Sequence, residues 1–120
     1  MNYSVIVPFY NEEKNISRFN IELTNNIKKL TSDNRLFEII YVDDGSVDNT
    51  FDELKKLSNN LISTILIKHR TNLSQSAALN TGISESKYEN LIIMDGDLQY
   101  DPEDLSNMVN EYEKGVDMII

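Results

Sequence analysis

The sequence predicts an α/β fold: an open, mainly parallel sheet with flanking helices. Three observations carry this expectation. Five short runs rich in β-branched residues alternate with four longer segments of helical periodicity. The short runs are mostly continuous and apolar, as strands covered on both faces of a parallel sheet are. Polar and acidic residues follow several of these runs, and open α/β sheets bind ligands beyond the carboxyl ends of their strands. The order reads β-α-β-α-β-α-β-α-β, with right-handed crossovers.

The first strand is Tyr3 to Val7. A helix follows, because Ile16, Phe19, Leu23, Ile27 and Leu30 recur at three- and four-residue steps. The second strand is Phe37 to Val42. After it, Phe51, Leu54 and Leu57 mark one face of a helix for which Asp48 is a candidate N-cap. The third strand is Leu61 to Ile67, and the Ala-rich helix after it lies around Ser74 to Ser84. The fourth strand, Leu91 to Met94, leads to the best-marked helix. Asp101 can cap that helix, Pro102 suits its first position, and Leu105, Met108, Val109 and Tyr112 form its apolar stripe. Gly115 fits the position just past its end. Val116 to Ile120 reads as a fifth strand, an apolar run with no turn or cap after it.

A chain of 120 residues fits one domain and can bury roughly two-thirds of the surface its unfolded form exposes. Hydrophobic residues at 40% and charged residues at 26% are globular proportions and exclude disorder. The net charge of −9 argues against nucleic acid, and against an anionic membrane surface, as an electrostatic partner. Without cysteine there is no disulfide scaffold, thiolate metal site or cysteine nucleophile. The apolar runs are only a few residues long, too short for a bilayer span or a signal peptide.

Chemistry is therefore sought at the strand ends. The first strand leads into Pro8-Phe9-Tyr10-Asn11-Glu12-Glu13, the second into Asp43-Asp44-Gly45-Ser46, the third into Lys68-His69-Arg70 and the fourth into Asp95-Gly96-Asp97-Leu98-Gln99. Asp95 and Asp97 follow an apolar strand, and two like charges side by side are costly unless a cation neutralises them. Gly96 lets the backbone turn so that both carboxylates face one point. Such an oxygen-only pair suits Mg²⁺ or Mn²⁺; alternatively both aspartates are solvated helix caps. Asp44 can accept from a base or ribose, or Asp43 and Asp44 can cap the helix beginning near Asp48. Tyr10, Asn11 and Glu12 offer an aromatic face, an amide and a carboxylate to a nucleobase; the plainer role has Asn11 capping the first helix. His69, the single histidine, reads as surface or satisfied packing rather than as a base. Arg70 can reach a diphosphate or stay solvated. Neither GxGxxG nor GxxxxGK[ST] occurs, and with four glycines in all, backbone amides alone are a poor diphosphate cradle.

Three of these segments together resemble family-2 inverting glycosyltransferases with the GT-A fold: Ser4 to Glu13, Val42 to Thr50 and Met94 to Gln99, in the family's order and spacing. The resemblance covers the whole chain. It implies a nucleotide-diphosphate-sugar donor and a divalent metal, Mg²⁺ or Mn²⁺. Carried over by position, Pro8, Tyr10 and Glu12 line the nucleoside pocket and Asp44 contacts the base or ribose. Asp95 and Asp97 are the family's Asp-x-Asp, placing Asp97, the catalytic candidate, on the metal that bridges the diphosphate. The stretch Asp97 to Glu103 is similar to the Asp-Leu-Gln plus Pro-Glu signature of polyprenyl-phosphate sugar transferases, in which Gln99 assists metal or donor. Arg70 to Gly82 also resembles that group, departing at Ser74, where the family usually has glycine; a serine there can cap the helix.

The resemblance implies a hexosyl transfer with inversion to a polyprenyl phosphate or a glycan hydroxyl, in glycan or cell-envelope synthesis. A lipid phosphate is already an anionic nucleophile, whereas a hydroxyl needs a general base, which in this family follows the fifth strand. Residues 1–120 are then the donor-binding N-terminal part of a longer domain, cut inside or just after that strand. An exposed sheet edge and self-association through it are expected, as is a cytoplasmic location with the parent attached to the membrane's inner face. Two alternatives are a receiver-type phosphate-signalling domain and a non-catalytic nucleotide-sugar-binding module. Receiver domains carry their acidic pair on the first strand, whereas this chain carries it on the second.

Overall fold

The computed structural model describes residues 1–57, 62–96 and 104–115. Four strands, β1 (Tyr3–Phe9), β2 (Phe37–Asp43), β3 (Ser63–Lys68) and β4 (Asn90–Ile93), form one sheet in the order β3-β2-β1-β4. Every neighbouring pair is parallel. The helices are α1 (Ile16–Leu30), α2 (Thr50–Lys55), α3 (Gln75–Glu85) and α4 (Asp104–Glu113). The predicted fifth strand, and the cap residues Asp101 and Pro102, lie outside the described residues. Gly115 does adopt a positive φ of 93° just beyond α4, and its N–H returns to the Tyr112 carbonyl.

Side-chain alternation along the central strands divides the core in two. Val5, Val7, Phe9, Ile39 and Tyr41 face α1, α2 and α4, where Phe19, Leu23, Leu54, Leu105 and Val109 are buried with them. Ile6, Ile40 and Val42 face the other way, onto Ala78 of α3. The helical stripe read from the sequence is the one that α1 buries, and truncating Phe19 to Ala would cost about 3–5 kcal/mol. At the amino end of the sheet, buried Glu38 accepts from Ser4 Oγ and Lys87 N, both at 2.5 Å. Nearby, Glu113 on α4 takes a two-pronged bond from Arg35 (2.7 and 3.0 Å) and the Tyr3 hydroxyl at 2.5 Å.

The strand order reverses between β1 and β4, so their carboxyl ends flank the crevice where such sheets take ligands. Pro8 explains why the crevice opens there. The Ile6 carbonyl accepts from Met94 N at 3.0 Å, which turns the polar groups of Ile6 toward β4. Two residues further, Pro8 occupies the equivalent place and has no N–H to donate. Pairing with β4 stops at Ile6–Ile93, while β1 continues beside β2 to Phe9–Asp43.

Candidate functional site

A cleft of about 330 Å³ lies over this crevice. The end of β1 contributes Pro8, Phe9, Tyr10 and Glu12, and β2 contributes Asp44. Asn72, Ser74 and Gln75 supply the wall that leads into α3, and Asp95 and Gly96 supply the end of β4. Five sequence-predicted site residues, Pro8, Tyr10, Glu12, Asp44 and Asp95, are thus brought together. Asp97 and Gln99 lie outside the described residues. Asn72 and Gln75 were not singled out from sequence, because neither is charged and single amides carry little signal.

The loop after β1 is stitched to the loop after β2. Asn11, at a φ of 53°, donates its N–H to Ser46 Oγ (2.8 Å), and its Oδ1 accepts from Val47 N at 3.0 Å. Glu12 N donates to Thr50 Oγ1 and Glu13 N to Asp48 Oδ2. Asn11 therefore does not cap α1, as one reading of the sequence had it. The helix starts after Asn15 with no side-chain cap at all. Burial opposes ionisation of Asp48, but hydrogen bonds from Thr50 and Glu13 prevail and hold its carboxyl below the usual range. Tyr10 lines the cleft and is 44% exposed, and Glu12 Oε2 accepts from Asn15 Nδ2 at 2.7 Å.

The two aspartates at the end of β2 part company, and neither caps α2. Asp43 turns Oδ1 to Ser46 N and Oγ, while its Oδ2 is buried without a hydrogen-bond partner. Asp44 holds the other loop. Oδ1 accepts from His69 Nδ1 (2.8 Å) and Leu73 N (3.0 Å), and Oδ2 from Asn72 Nδ2 and Ser74 N (both 3.1 Å). Gly45 lets this loop come close: its φ is 71°, and a Cβ there would overlap the Thr71 and Asn72 backbone. The glycine serves the chain's own approach rather than a ligand's. Ser74 accepts from Ala77 N at 3.0 Å, so the serine at this position does cap α3.

On the far side, Gly96 leaves room for the Phe9 ring, and Asp95 Oδ1 accepts from Gln75 Nε2 at 2.7 Å. The cleft is lined by three carboxylates, Glu12, Asp44 and Asp95, and among the described residues no lysine, arginine or histidine lines it. Arg70 is exposed. An anionic ligand in such a cleft needs a cation. No three potential metal-ligating side chains converge among the described residues. Mg²⁺-type sites at phosphates, however, use only one or two carboxylates plus the substrate's oxygens. Asp95, with Asp97 two residues on, suits that donor set.

A parallel α/β sheet with a cleft at its reversal point is a doubly wound, ligand-binding class of fold, and the solved structures that superpose on it are GT-A glycosyltransferases. Residues 4–120 match glycosyl transferase family 2, and the chain belongs to that family. It is 31% identical over 119 residues to the undecaprenyl-phosphate 4-deoxy-4-formamido-L-arabinose transferase of Proteus mirabilis, covering 97% of this chain and 35% of that protein. The solved structure of S. aureus TarS 1–349 superposes with a TM-score of 0.71 at 28% identity, over 95% of this chain and 33% of that one. The mannosyltransferase PcManGT from Pyrobaculum calidifontis, in complex with GDP-Man and Mn²⁺, gives 0.71 at 27% identity, over 89% and 31%. The chain thus spans about a third of the length of the relatives it matches. Family membership sets aside the receiver-domain alternative.

Proposed function

We propose that the cleft binds a nucleotide-diphosphate sugar together with Mg²⁺ or Mn²⁺, as the donor site of an inverting transfer to a polyprenyl phosphate or a glycan hydroxyl. One observation supports it above the others: a cleft at the reversal point of the sheet, lined by carboxylates and lacking a basic side chain among the described residues. Pro8, Tyr10 and Glu12 receive the nucleoside, the Tyr10 ring offering a stacking face. Asp44 orders the wall beside it. Asp95 and Asp97, with Gln99, would hold the cation, which supplies positive charge to the departing diphosphate. The acceptor attacks the anomeric carbon from the face opposite the nucleotide, and the bond from that carbon to the diphosphate breaks. Residues 1–120 form the donor-binding part of that enzyme. Of the similar proteins, PcManGT was solved with GDP-Man and Mn²⁺ and TarS with UDP, which supports the donor class without selecting a base.

Titration calorimetry with UDP-, GDP- and dTDP-sugars, with and without Mn²⁺, tests the proposal. Binding of at least one donor only in the presence of metal is the expected result; no binding to any of them would overturn it. Asp97→Ala should abolish metal-dependent binding with the circular dichroism spectrum unchanged. Persistence of binding in that variant would remove Asp97 from the metal.

A further inference from the structure

The wall formed by Asn72, Ser74 and Gln75 has no strand or helix of its own before α3 begins, yet three groups, Asn72 Nδ2, Leu73 N and Ser74 N, anchor it to one carboxylate, Asp44. That carboxylate is in turn gripped by a side chain outside the cleft. We propose that His69 is a positioning residue for the donor cleft: through Asp44 it holds the Asn72–Gln75 segment where it forms the wall. The proposal rests on the nucleotide-sugar reading of the cleft.

The geometry is that of a clamp. An ionised carboxylate only accepts, so the proton between Asp44 and His69 sits on Nδ1. The other ring nitrogen lies 2.8 Å from Thr81 Oγ1 on α3, and the His69 N–H donates to the Asp43 carbonyl at 2.8 Å. The imidazole therefore spans the end of β2 and the body of α3, the helix that the wall leads into. Both side chains of the pair are nearly buried, 10% exposed for His69 and 5% for Asp44, where a hydrogen bond to a charge is strongest. The neighbouring cations do not share the task. Lys68 sits over the Phe51 ring, and Arg70 is exposed. Among the described residues, His69 is the one basic side chain in contact with the Asp44 carboxylate. Without it, Oδ1 keeps only Leu73 N, and a buried carboxylate loses its one partner capable of carrying charge.

The test reads the wall directly and then the ligand. In the ligand-free chain, His69→Leu should speed amide hydrogen exchange at Leu73 and Ser74 by about tenfold or more, with Ile6 and Ile40 unchanged. Affinity for the donor and Mn²⁺ should fall by a similar factor. His69→Asn, whose amide can replace the Nδ1 donor, should restore both to within about threefold of the wild type. Unchanged exchange at Leu73 and Ser74 in His69→Leu would overturn the proposal, and so would weaker binding with normal exchange, which would make His69 a ligand contact. Should His69→Leu loosen the whole sheet, the milder Thr81→Val, which removes the Nε2 contact together with the Thr81 hydroxyl's bond to the Ala77 carbonyl, decides by the same local readout. If the wild type binds no donor, the nucleotide reading fails while the exchange measurements still judge the clamp.

Discussion

Gly45 and Asp43 show how differently two residues of one acidic turn are constrained. Gly45 combines a left-handed backbone with the close passage of Thr71 and Asn72. Gly45→Ala should therefore destabilise the chain by at least about 1–2 kcal/mol from the backbone alone, more once the loop is displaced. Urea unfolding would show it as a lower midpoint. Asp43 is fully buried with one carboxylate oxygen unpaired. Asp43→Asn keeps the Oδ1 acceptor for Ser46 and removes a desolvated charge. It should leave stability within about 0.5 kcal/mol of the wild type or raise it. A loss several times larger in the same urea experiment would show that the charge itself is needed. The sequence marks both aspartates as special without separating their roles, because the partners of Asp44 lie 25 to 30 residues further along. His69 was legible only as surface or satisfied packing, and the side chains it bonds, Asp44 and Thr81, lie 25 and 12 residues away.

Among the elements, the strands and the long helices were readable because burial on both faces forces continuous apolar runs, and burial on one forces a 3.6-residue stripe. α3 was the least marked, and it covers the smaller half of the core with Ala78. What no pattern foretold is the anchoring of α4. Its Glu113 carboxyl is held below the usual range, first by the Arg35 guanidinium and then by the Tyr3 hydroxyl. A carboxyl depressed in the folded state adds stability that is complete above its unfolded value, near about 4.3, and disappears as pH falls through the folded value. Melting temperatures followed from about pH 6 to about pH 3 should thus fall less steeply in Glu113→Gln than in the wild type. Parallel curves would mean that the contact contributes nothing in solution. The same Glu113 contacts raise the Arg35 pKa, while the Tyr3 hydroxyl is raised first by burial and then by its bond to Glu113.

At the scale of the molecule, β3 and β4 are the outer strands among the described residues, each paired on one side. Unpaired strand edges invite pairing with another copy. Sedimentation over a range of concentrations should show reversible self-association, and a strict monomer throughout would refute it. No helix among the described residues is long and apolar enough to cross a membrane. The architecture and half of the acidic cleft were visible from the residue pattern, since strand ends are found wherever apolar runs stop. The amide-bearing wall was not, because it is created by folding back onto Asp44.

The carboxylate lining of the cleft has one further consequence. If neither donor nor cation is welcome alone, occupancy follows a conjunction: each ligand supplies the charge the other lacks. Thermodynamic reciprocity then requires that the factor by which Mn²⁺ tightens the donor equal the factor by which the donor tightens Mn²⁺. In a cell where both fluctuate, such a cleft reports their product and stays vacant when either is scarce.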